Sequence, residues 1–87
     1  MHAVIVNVTI NDQDAAERAL REQLVPRVSQ LPSFVTGYWT VKDNTGLTML
    51  VFDSQDAANA MSEVAEATVP PAMTFIDVEV REVAAHA

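Results

Sequence analysis

The sequence predicts an α+β domain with the element order βαββαβ and a four-stranded antiparallel sheet. Three observations carry this reading. Four segments alternate apolar and polar residues with the period of a strand, and two repeat apolar residues with the period of a helix. Turn, cap or breaker residues stand at the junctions: Asn11-Asp12, Pro32, residues 43–46, Asp53-Ser54 and Pro70-Pro71.

The first strand covers residues 2–10. Val4, Val6, Val8 and Ile10 point one way, and Ala3, Ile5, Asn7 and Thr9 the other. Asn11 and Asp12 break the alternation and offer an N-cap. A helix follows over residues 13–31. Ala16, Leu20, Leu24, Val28 and Leu31 form its apolar stripe, and Glu17, Arg18, Arg21 and Glu22 its wet side. Pro26 removes a backbone donor inside this helix, so a kink or break is expected there, and Pro32 ends the element.

The second strand covers residues 34–42, with Phe34, Thr36, Tyr38 and Thr40 on one face and Val35, Gly37, Trp39 and Val41 on the other. Asp43-Asn44-Thr45-Gly46 is the expected hairpin turn, with Gly46 supplying a positive φ, and residues 47–52 form the third strand. Asp53 or Ser54 caps a second helix whose stripe is Ala57, Met61, Val64 and Ala65; small residues let it lie close to the sheet. Pro70-Pro71 stops it. The last strand covers residues 73–83, with Thr74, Ile76, Val78 and Val80 on one face and Phe75, Asp77, Glu79 and Arg81 on the other.

The 87 residues make one domain, residues 1–87, and 49% of them are hydrophobic, enough for a core. The net charge is −7, and the basic residues Arg18, Arg21, Arg27, Lys42 and Arg81 are scattered. Phosphate recognition needs clustered Lys and Arg, so nucleic acid and anionic membrane surfaces are set aside as partners. The chain has no cysteine, which excludes disulfides, thiolate chemistry and Cys-ligated metals. The N-terminal residues alternate like a strand and lack the basic region of a signal peptide, and no apolar run is long enough to span a bilayer. A cytoplasmic location is the expectation.

The element order matches the split βαβ, ferredoxin-like arrangement. Two helices cover one face of a four-stranded sheet, yet both faces carry apolar residues. A solvated face reads more polar than this. A second copy of the same sheet is the simplest cover, which predicts a symmetric homodimer. Alternation alone leaves open which face meets the helices.

The order βαββαβ, the run Phe34-Val35-Thr36-Gly37-Tyr38-Trp39 and the run Val51-Phe52-Asp53-Ser54-Gln55-Asp56-Ala57-Ala58 resemble the dimeric α/β-barrel superfamily, and within it the antibiotic-biosynthesis-monooxygenase-like domain. The likeness spans the whole chain. One departure is visible: the family often has Pro-Gly-Phe before the second strand, where this chain has Pro32-Ser33-Phe34. The resemblance implies a homodimeric barrel with a ligand cleft between helices and sheet in each subunit, and an Asn on the first strand facing that cleft. It also implies cofactor-free oxygenation of aromatics or haem degradation as candidate activities. In the haem-degrading branch Asn7 matches the first-strand Asn, but Met61 stands near the Trp position and Pro71 near the position of the iron-ligating His. Without that His the iron lacks its protein ligand, and no cofactor is expected.

The candidate catalytic residues are Asn7, whose amide suits a substrate oxyanion, and Tyr38, which adds a hydroxyl donor. Trp39, Phe52, Met61 and Phe75 are candidates for an apolar ligand pocket, at spacings that equally suit ordinary core. His2 and His86 sit near the termini without a carboxylate at ligand spacing, so no metal site is expected. Asp77, Glu79 and Arg81 read as a solvated edge or rim ion pair. The functional expectation is a cofactor-independent monooxygenase acting on a small aromatic molecule. The alternative is a non-catalytic protein of the same fold that binds a small apolar ligand or only dimerises.

Overall fold

The valine row of the first strand decides the layering. In the computed structural model, which describes residues 1–87, Val4, Val6, Val8 and Ile10 are buried in one cluster with Ala16, Val28, Leu50, Phe52, Ala58, Met61 and Ala65. The aliphatic row therefore faces the helices, and the row containing Ile5 and Asn7 faces away from them.

The chain runs β1 (His2–Ile10), α1 (Gln13–Ala19), a π-helical turn (Leu20–Leu24), α2 (Val25–Ser29), β2 (Phe34–Lys42), β3 (Thr45–Phe52), α3 (Gln55–Thr68) and β4 (Met73–Glu82). The sheet order is β2-β3-β1-β4 with every neighbouring pair antiparallel. This is a small α+β fold with a four-stranded antiparallel sheet and helices on one face, compatible with the ferredoxin-like arrangement. No helix is long and apolar enough to cross a membrane.

Side-chain caps start the helices where the sequence places them. Asp12 accepts from the Ala15 amide at 3.1 Å, and Ser54 accepts from the Ala57 amide at 3.3 Å. The first helical region differs from expectation: it does not break at Pro26 but widens into a π-helical turn just before it. The Val25 amide donates to the Leu20 carbonyl, a five-residue step. Pro26 then occupies the first turn of α2, where a missing amide costs least.

Both edge strands carry a bulge, and each moves residues to a different face from the simple alternation. In β2, Phe34 pairs with Phe52 and Thr36 with Val51, so Val35 is the extra residue. Phe34 consequently sits on the helix side with Trp39, edge-on to Phe52 at a centroid distance of 5.8 Å. In β4, Asn7 pairs with Asp77 and Val8 with Phe75, so Ile76 is extra. Phe75 therefore joins Val78 and Val80 against the helix-side core, while Thr74, Asp77, Glu79 and Arg81 take the other face.

The β2–β3 hairpin is tighter than the sequence suggests. Its loop is Asp43-Asn44, and the positive φ of 55° belongs to Asp43, not to Gly46. Gly46 lies in β3 for a packing reason: a Cβ there would come within 2.8 Å of the Val8 side chain. The loop is tied to the rest of the fold by the Ile10 amide on the Asn44 carbonyl (2.7 Å) and the Gln13 side chain on the Asp43 carbonyl (2.8 Å).

Candidate functional site

The largest concavity on the helix side lies between the first helical region and β2. Its apolar walls are Ile10 from β1, Leu20 and Val25 from the widened helix, and Trp39 and Val41 from β2, and its volume is about 420 Å³. The size lies within the range of small-molecule sites. The alternation of β2 directs Trp39 to this side, and the π-helical turn supplies the wall opposite it. Gln13, Glu17 and Arg21 add a polar edge along one side of the helix. Arg21 donates to Glu17 at 2.7 Å, and both side chains are largely exposed.

Leu20 and Trp39 also border a second, inner space of about 40 Å³ between helices and sheet, lined as well by Val6, Leu50, Met61 and Met73. That volume holds no aromatic ligand. The interior between the layers is therefore packed, and ligand-sized space lies outside it. A third apolar groove, about 360 Å³, runs between Leu31-Pro32 and the Ala57, Ala60 and Val64 face of α3, with Phe52 and Met61 at its floor.

The four candidate pocket residues thus separate. Trp39 lines the cleft. Phe52 is 1% exposed and belongs to the core, and Met61 is buried between α3 and the sheet. Phe75 packs against the same core from β4 and lines neither the cleft nor the inner space.

The two candidate catalytic residues are on the opposite side of the sheet. The family likeness implies an Asn7 facing the cleft; instead its amide donates to the Asp77 carboxylate at 2.7 Å on the helix-free face. The physical reason is the valine row: hydrophobic burial claims Val6 and Val8 for the helix side, and strand alternation turns Asn7 away. Tyr38 pairs with Met49, which pairs with Ile5, so Tyr38 shares the helix-free face and is 62% exposed. Two strand spacings, roughly 10 Å, separate Tyr38 from the first strand. Asn7 and Tyr38 therefore share a surface with each other and none with Trp39.

The helix-free face is apolar in the middle and charged at one edge. Ala3, Ile5 and Val51 form a small buried cluster under Val83, flanked by exposed Leu47 and Met49. Along β4, Arg81 donates to Glu79 at 2.9 Å. No three His, Asp or Glu side chains gather in a metal-binding group.

The residues missed by sequence reasoning are Gln13, which the sequence does not single out, and Glu17 and Arg21, which read only as a solvated helix surface. Their four-residue spacing was the available signal: it aligns them in one row along the helix, next to the apolar stripe that meets the sheet. No family model matches the chain, and no curated protein matches it.

Proposed function

We propose that this protein binds a small apolar or aromatic molecule in the cleft over Trp39 and works as a homodimer paired through its helix-free sheet face. The observation that carries the binding reading is the cleft itself. It is an apolar hollow of about 420 Å³ with the chain's single tryptophan in its wall and polar groups along one edge. The dimer reading is supported by Tyr38, Leu47 and Met49, large side chains left exposed along the β2–β3 half of a sheet face that no helix covers. A second copy of the same face is self-complementary under a two-fold axis.

Cofactor-free oxygenation asks for more than binding. It needs a hydrogen-bonding group at the substrate oxyanion inside a water-poor cleft. Asn7 and Tyr38 face away from Trp39, so simple binding fits this geometry better than oxygenation. The test is a titration of the full chain with 2-naphthol by calorimetry, alongside oxygen uptake with a panel of hydroquinones. Saturable one-to-one binding that Trp39→Ala abolishes, with no oxygen consumed, is the expected result. Oxygen uptake that falls on Asn7→Ala would restore the oxygenase reading.

A further inference from the structure

We infer that the groove beside α3 docks a basic amphipathic helix of a partner protein. The groove shares no lining residue with the cleft over Trp39 and lies on the other side of the sheet from the helix-free face.

Helix α3 carries more apolar surface than the sheet uses. Ala58, Met61 and Ala65 are buried in the core. Ala57, Ala60 and Val64 follow a second row at helical spacing, turned towards the flank, and Val64 stays 48% exposed. From Ala57 to Val64 this flank runs about 10 Å, two helical turns. Leu31 and Pro32 form the facing wall, and the hollow between holds about 360 Å³. Ala57 and Ala60 are short, so a second helix can lie close and send larger apolar anchors into the hollow.

Charge chooses the partner. Residues 53–66 hold Asp53, Asp56, Glu63 and Glu66 and no base, so −4 of the net −7 falls on this stretch. All four acids are exposed, and none is in an ion pair. Helix stability does not ask for all of them. Asp56 suits the N-terminal end of the dipole, but Glu66 stands in the last turn, where an anion is disfavoured and no base offsets it. Asp56 and Glu63 flank Ala60 at helical spacing, which sets them along the outer rim of the groove. The Asp53 amide donates to the Ser33 carbonyl at 2.9 Å, which sets Asp53 at the Pro32 end. Leu31 and Pro32 are uncharged, and the nearest base in sequence, Arg27, comes before that wall. A helix with aliphatic anchors flanked by Lys or Arg satisfies both floor and rim, and an acidic helix is repelled.

The test uses a Leu/Lys peptide about four helical turns long with all leucines on one face. Its controls are a twin with Glu for every Lys and a scrambled Leu/Lys peptide with no apolar face. Amide resonances of the isotopically labelled full chain are followed at low salt. The expected result is a saturable shift at Ala57, Ala60 and Val64, with the Lys peptide bound about tenfold or more tighter than either control. Val64→Lys should weaken it about tenfold with the thermal melt retained, and Asp56→Asn with Glu63→Gln should weaken it severalfold. Equal binding of the Glu twin overturns the basic partner. Equal binding of the scrambled peptide, or no loss in Val64→Lys, shows attraction by charge alone and overturns docking in the groove. Groove resonances that move on dilution of the chain without peptide make a second copy the occupant and overturn the partner helix.

Discussion

Two residues sit in a backbone conformation that glycine would hold more easily. Ser33 has φ 66° and Asp43 has φ 55°. The left-handed region costs an L-residue roughly 1–2 kcal/mol, part of which glycine returns as chain entropy. Ser33→Gly is expected to stabilise the fold by about 0.5–1 kcal/mol, read as a higher urea midpoint at unchanged slope. Gly46 is the opposite case: its φ is ordinary, and Val8 fills the space where a Cβ would sit. Gly46→Ala should cost about 1–3 kcal/mol by overpacking, visible as a lower Tm. On the helix-free face, Asn7→Asp would set a second carboxylate against Asp77. The like-charge cross-strand pair should destabilise by up to about 1 kcal/mol, while Asn7→Ala, losing one exposed hydrogen bond, should cost less.

The π-helical turn is the answer to a phase problem already present in the apolar spacing. Ala16, Leu20, Leu24 and Val28 recur every fourth residue, and each such step overshoots one α-helical turn by about 40°. Over the twelve residues from Ala16 to Val28 a regular α-helix drifts by about 120°, which would carry Val28 off the sheet. Both residues are buried in the same core. The widened turn at Leu20–Leu24 absorbs one residue and cuts the drift to about 20°. Deleting Glu22 together with Pro26→Ala should therefore give a continuous α-helix with the same buried stripe. The expected outcome is a cooperative thermal melt with no loss of helical circular dichroism; an unfolded variant would disprove the phase argument. These details mark where the sequence was legible. Element order, the cap sites at Asn11-Asp12 and Asp53-Ser54 and the Pro70-Pro71 stop were readable because local chemistry dictates them, and the structure picks Asp12 and Ser54 as the caps. The faces of Phe34 and Phe75 were not, because one bulged residue in each edge strand, Val35 or Ile76, reverses alternation beyond it, and only pairing across strands reveals that. Asn7 was placed by family likeness, while burial of the valine row decided its side.

At the scale of the molecule, the sheet separates two jobs. The helix side holds the core and the cleft, and the other side carries the surface proposed for pairing. Met49→Glu puts a charge in the middle of the helix-free face, with its side chain on the opposite side of the sheet from Trp39. Light scattering should find the parent chain dimeric at micromolar concentration and Met49→Glu monomeric, with 2-naphthol affinity changed by less than about threefold if each cleft is complete in one chain. A parent chain that runs as a monomer would remove the pairing proposal and leave the cleft in place. The bulges at Val35 and Ile76 bear on what such pairing can become. An open sheet ends in two rows of free amides and carbonyls that a further strand can template upon. Here each rim has its regular repeat interrupted by an extra residue, near the start of β2 and in the first half of β4, so a newcomer strand cannot pair in one register along the full length of either. Association across the flat of the sheet ends at two copies, whereas growth along its rims would continue without limit. The interrupted rims thus weigh against ribbon growth and towards the assembly that stops.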